Sequence, residues 1–145
     1  MYRLSKKADY GLIALKHLTL AASDDAVSAN EISRSYNMPQ KLLAKVMQKM
    51  AQKGILNSQA GANGGYTLAR APDKITVFDV IEAVEGKSAI VSCGFETGKC
   101  DNFDLCMIRD PLKKVNERVF DILFSTTISE LCRKEDSNEA ANLHG

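Results

Sequence analysis

Cys93, Cys100 and Cys106 fall within fourteen residues of one another, in a stretch that also holds Gly94, Gly98, Lys99, Asp101 and Asp104 and has almost no apolar periodicity. Three thiols on a polar, glycine-containing loop can turn their sulfurs toward one point, which thiols buried on separate faces of a core cannot do. Thiolates favour zinc, copper(I) or iron-sulfur clusters over hard cations. Clusters are held by several cysteines, with one position sometimes taken by another residue type. The C-x6-C-x5-C spacing is too wide for the close cysteine pairs of structural zinc sites. A disulfide with one spare thiol and a set of unmetallated loop thiols are the alternatives. The fourth cysteine, Cys132, follows Leu131 at the end of an expected helix, the setting of a buried structural thiol.

A chain of 145 residues allows one ordinary domain, or a small domain with an appendage. Its start is amphipathic rather than an unbroken apolar run, and no stretch approaches the roughly 18 apolar residues of a membrane span. A cytoplasmic protein with no membrane partner is expected. In that reducing compartment four cysteines argue for metal or redox chemistry rather than for bridges.

The elements that must position the cysteines lie on both sides of them. Ala8, Leu12, Leu15, Leu18 and Ala22 recur at helical spacing, and Ser23-Asp24-Asp25 ends the run with turn chemistry. Ser28-Ala29-Asn30-Glu31 has the form of a capping box and opens a second, two-turn helix. Pro39 suits the first turn of a third, whose face of Leu42, Leu43, Val46, Met47 and Met50 ends at Gly54. Two helices joined by a tight turn, the second carrying Lys41, Lys45, Gln48, Lys49 and Gln52 away from its core face, have the form of a helix-turn-helix. Residues 55–58 and 66–68 are short strand candidates around Gly61-Ala62-Asn63-Gly64-Gly65, a glycine-rich hairpin loop that reads as a wing. Thr76 caps a further helix, with Asp79 completing a capping box, and that helix closes at Gly86. Beyond the cysteines, Asp110-Pro111 opens a long helix with Leu112, Val115, Val119, Ile122 and Leu123 on one face. It is longer than its own core needs and reads as a dimerisation helix.

The fold class expected is therefore mainly α: a winged helix-turn-helix over residues 1–72, a cluster-binding loop and dimerisation helices over 73–132, and a polar, disordered tail over 133–145. Charge agrees with that division. Residues 1–70 carry ten bases against four acids, and the remainder nine bases against fourteen acids. A basic first half points to a polyanion, and an acidic second half to a partner that does not touch it. Gln40, Lys41 and Lys45, near the start of the recognition helix, are the side chains best placed for base edges or phosphates. Arg70 follows the wing directly.

Leu4-Ser5-Lys6-Lys7-Ala8-Asp9-Tyr10-Gly11-Leu12, the wing Gly61-Ala62-Asn63-Gly64-Gly65-Tyr66-Thr67-Leu68-Ala69-Arg70, the segment 75–86 and the three cysteines together resemble the Rrf-two family. These are winged-helix regulators that sense iron-sulfur status, redox stress or nitric oxide, and include the IscR and NsrR groups. The likeness covers residues 1–132 and is closest to the cluster-assembly branch, through Cys106-Met107-Ile108-Arg109 leading into a long helix. It implies a homodimeric repressor that binds double-stranded operator DNA through the recognition helix and the wing residues Asn63, Gly64, Tyr66 and Arg70. It also implies a two-iron or four-iron iron-sulfur cluster on Cys93, Cys100 and Cys106, whose state biases DNA affinity. A metal-free thiol switch is the alternative.

Three departures alter what carries over. IscR-type members place a histidine three residues after the third cysteine, where this chain has Arg109, which cannot ligate. NsrR-like members resemble it in having an aspartate at the place of Asp9, supplied by the other subunit, so Asp9 is the first candidate for the fourth ligand; otherwise it is a first-turn acid facing the helix dipole. Ala60, Ala44 and Lys45 replace residues that IscR-type members use on DNA, so the operator need not be theirs. A redox enzyme would need a substrate pocket in place of a basic winged domain, so neither enzymatic activity nor a small-molecule substrate is expected.

Overall fold

The computed structural model describes residues 4–21, 24–86, 105 and 107–133. Cys93, Cys100 and Cys106, and the tail beyond Arg133, lie outside the described residues.

Helix α1 (Lys6–Ala21) starts where Ser5 Oγ accepts the Ala8 N–H at 3.2 Å, and it buries Ala8, Gly11, Ala14, Leu15 and Leu18 on one side. Helix α2 (Ala29–Tyr36) is capped by Ser28, whose hydroxyl accepts the Glu31 N–H at 3.1 Å, the serine half of the expected box. It stops at Asn37, in the left-handed region at φ 52°, which the short polar side chain of asparagine tolerates. Buried Met38 then turns back, its N–H donating to Ser33 O. Helix α3 (Gln40–Gln52) follows, with Pro39 as its N-cap rather than inside its first turn: ψ of 114° leaves proline extended. Leu43, Val46, Met47 and Met50 face the core.

Gly54, at φ +77°, ends α3 in a Schellman arrangement. Its N–H donates to Ala51 O, and the Ile55 N–H to Met50 O. Because the Ile55 N–H is used by the helix end, the first strand begins one residue later than expected. Strand β1 (Leu56–Gln59) pairs antiparallel with β2 (Gly65–Leu68), in the register Leu56 with Leu68 and Gln59 with Gly65. A 3-10 turn at Pro72–Lys74 leads to helix α4 (Val77–Glu85). There the full capping box forms: Thr76 Oγ1 accepts the Asp79 N–H at 3.1 Å, and Asp79 Oδ2 accepts the Thr76 N–H at 3.0 Å. Helix α5 (Arg109–Ser125) begins one residue ahead of the expected Asp110, and α6 (Ile128–Cys132) is capped by Thr127.

The core continues past residue 72. Leu15, Ile32, Leu43, Met47 and Met50 share one buried cluster with Ile75, Val80, Ile81, Val84 and Ile128. The chain returns to make this possible: the Val77 N–H donates to Thr126 O and the Ile128 N–H to Ile75 O, both at 2.9 Å, so Thr76 and Thr127 bridge. Helix α5 is the outlier. Its one buried residue is Asn116, whereas Val115, Ile122 and Phe124 are at least half exposed. Phe78 of α4 holds it, with ring centroids 5.6 Å from Phe120 and 4.0 Å from Phe124. The architecture is mainly helical with one two-stranded wing.

Candidate nucleic-acid interface

Burying Leu43, Val46, Met47 and Met50 leaves the opposite face of α3 to solvent, and that face carries Lys41, Lys45, Gln48 and Gln52. Lys41 and Lys45 are one helical turn apart, about 6 Å along the axis. Gln40 is exposed at the first position of the helix. No acid interrupts α3, so its outer face is a cationic strip with amide side chains, suited to phosphates and base edges. Lys49 behaves differently: its Nζ donates to Val84 O at 3.3 Å, at the carbonyl end of α4, where a cation is favoured. It belongs to the packing of α3 on α4.

The wing is fastened at its base. Tyr66 pairs through its backbone with Ser58 on one side and with Val27 on the other, donating to Val27 O at 2.8 Å and accepting from the Val27 N–H at 3.0 Å. Val27 thus adds a third, one-residue edge to the hairpin. The Tyr66 side chain is half-buried against the core. Asn63 stands exposed at the tip, and the Gly64 N–H closes the loop on Gly61 O at 3.0 Å. Gly64 is obligatory on steric grounds, since a Cβ there would lie 2.5 Å from Gln59 O. One flank of the wing is acidic: Asp24, Asp25 and Glu31 line a hollow of about 600 Å³ with Gln59 and Asn63. That flank disfavours phosphate.

Arg70, expected on DNA, turns toward α4. Its Nη1 lies 3.5 Å from Asp79 Oδ2 and 3.5 Å from Lys74 O, and its Nε is buried.

Of the expected cluster ligands, the three loop cysteines lie outside the described residues. Asp9 is exposed in the first turn of α1, its carboxylate without a hydrogen bond or ion pair among the described residues. Cys132 is half-buried and packs on the core, as a structural thiol would. His17 is occupied by Tyr36, with Nδ1 3.0 Å from its hydroxyl. Arg109 Nε lies 3.4 Å from Asp110 Oδ1. Among the described residues no group of three or more His, Cys, Asp and Glu side chains could hold a metal. Leu105, Met107 and Ile108, beside Cys106, are exposed apolar residues.

Residues 4–134 match the Rrf2 family, described as an iron-dependent transcriptional regulator. The chain belongs to that family. This Rrf2-family chain is 28% identical over 139 residues to the regulator NsrR of Halalkalibacterium halodurans, covering 95% of both chains. It is 27% identical over 140 residues to IscR of Yersinia enterocolitica, covering 97% of this chain and 85% of that one. Its fold matches CymR, the global cysteine regulator of B. subtilis, with a TM-score of 0.74 and 26% identity over 91% of this chain and 97% of that one. The protein is a transcription regulator and not an enzyme. Among the described residues no helix is long and apolar enough to cross a membrane.

Proposed function

We propose that the chain is a cytoplasmic, homodimeric repressor that binds operator DNA and senses iron-sulfur, redox or nitric oxide status through an iron-sulfur cluster. Cys93, Cys100 and Cys106 would hold the cluster, with the partner subunit's Asp9 as fourth ligand. The observation that carries the DNA part is the acid-free, solvent-facing strip of Lys41, Lys45 and Gln48 on α3, beside a wing seated on Val27. The family description as iron-dependent and the relatives named NsrR and IscR support the sensing part.

Helix α3 enters the major groove with Gln40, Lys41 and Lys45 toward bases and phosphates, and Asn63, Gly64 and Tyr66 bring the wing to the flanking backbone. The exposed Val115 and Ile122 of α5, seven residues apart and therefore on one side of the helix, supply the apolar face of a dimer. Two copies then present two reading heads, which bind together only if their recognition helices lie about 34 Å apart, one turn of DNA. The cluster, when bound, supplies a centre sensitive to oxidation and nitric oxide. The segment that would hold it joins Gly86, at the end of α4, to α5, so its ligation bears on how the head meets the dimer helix.

Anaerobic purification with visible absorption and DNA binding of loaded and cluster-free forms tests the reading. Cys93→Ala, Cys100→Ala and Cys106→Ala each abolish the visible bands, Cys132→Ala leaves them, and Asp9→Ala makes the cluster more labile. Reconstituted protein without such bands, yet with thiol-dependent DNA binding, would replace the cluster with a metal-free thiol switch.

A further inference from the structure

We infer that Arg70 is a positioning residue for DNA binding, which acts through Asp79 to fix the wing on α4 rather than by touching phosphate. The inference rests on the DNA-binding reading above. Arg70 leaves the hairpin two residues after β2, and its Nη1 is shared between Asp79 Oδ2 and Lys74 O, each at 3.5 Å. The Nε is buried while the side chain as a whole stays 38% exposed, so the guanidinium lies along the junction with α4. Asp79 is itself fixed, since its Oδ2 accepts the Thr76 N–H in the capping box. Thr76 in turn bridges Thr127, and the Val77 N–H donates to Thr126 O. The wing is therefore held from two directions: Val27 grips β2 at Tyr66, and Arg70 grips the start of α4. An ion pair on this junction sets where the tip residues Asn63 and Gly64 stand relative to α3, and thereby whether both can meet one duplex.

The two roles predict opposite signs for one substitution. Asp79→Asn removes a negative charge and releases Arg70, so a phosphate-binding Arg70 would give tighter DNA binding. Positioning through Asp79 gives weaker binding. Asparagine keeps an oxygen for the Thr76 N–H, so the helix cap survives. The measurement is fluorescence anisotropy of the full-length protein with a short random-sequence duplex, over a range of salt. Arg70→Gln and Asp79→Asn are each expected to weaken binding about threefold, in keeping with a half-exposed ion pair, and the double variant no further. Tighter binding by Asp79→Asn, or additive losses in the double variant, would overturn the inference. If Asp79→Asn melts below the assay temperature, Arg70→Lys decides the matter. It keeps a charge for phosphate but loses the nitrogen shared by Asp79 and Lys74, so wild-type affinity and salt slope would overturn the inference, and a loss would support it. A wild-type protein without salt-dependent binding sinks the DNA-binding reading as well, whereas a binding wild type with a tighter Asp79→Asn sinks this inference alone.

Discussion

Gly65 lies against Val27 so closely that a Cβ added to it would stand 2.5 Å from the Val27 carbonyl oxygen and 2.7 Å from the Ser28 nitrogen. Its φ of +155° also disfavours a side chain. Gly65→Ala is expected to unseat the wing and destabilise the fold by about 2–3 kcal/mol. Gly61, at φ +106° with open space around it, provides the comparison: Gly61→Ala should cost only about 1 kcal/mol. Thermal unfolding of both variants checks this. Equal losses would mean that the wing does not rest on Val27.

Lys41→Ala and Lys45→Ala separate a phosphate contact from a base contact. The variant that loses a phosphate contact should weaken binding to every sequence alike and flatten the salt dependence by about one unit per subunit. The variant that loses a base contact should cost about 1–3 kcal/mol and relax preference at one position. Titrations at several salt concentrations read both quantities. Unaltered affinity and slope in both variants would mean that α3 does not enter the groove.

Helix α5 hides Asn116 and shows Ile122, which is 63% exposed, an inversion that a second copy would correct. Ile122→Glu should elute as a monomer at concentrations where the wild type is dimeric, because an unpaired charge cannot be buried cheaply in an apolar interface. Its thermal stability when monomeric should match that of the wild-type head, since position 122 contributes nothing to the core. A dimer that survives this substitution would exclude the exposed face of α5 from the interface.

Gly11 of α1 approaches α4 closely, an added Cβ lying 2.9 Å from Val80 Cγ1 and 3.4 Å from Met50 Sδ. Alanine there would gain up to about 1 kcal/mol of helix propensity but overpack the junction by about 1–3 kcal/mol. Net destabilisation is the expected outcome in a denaturant titration. A stabilised Gly11→Ala protein would show that α1 and α4 have room to separate.

What could be read from the sequence was local. Thr76 and Asp79 announce a helix start because both halves of a capping box lie within one turn. Gly54 announces a helix end because the geometry it enables involves only its neighbours. Helix α3 was legible for the same reason, its apolar spacing assigning Lys41 and Lys45 to the outer face. Long-range contacts were not. Nothing near Val27 says that it pairs with Tyr66, since that pairing depends on Gly65 lacking a side chain some forty residues on. Helical spacing shows that Val80 and Val84 are buried but not that they share a core with Leu15 and Ile128. The sign of Arg70 is visible in the sequence and its direction is not, because that depends on Asp79 standing nearby in the fold.

The backbone pairing of residues 126–128 with 75–77 bears on the operator itself. A head joined to its dimer helix by one flexible linker could absorb an extra base pair between half-sites by swivelling. Here the far end of α5 is stitched back into the head by two hydrogen bonds, so little slack would remain in the proposed dimer. One inserted base pair moves a half-site about 3.4 Å along and about 35° around the duplex. For a dimer built in this way, as proposed above, the gap between half-sites would become as much a part of the recognition sequence as the bases within them.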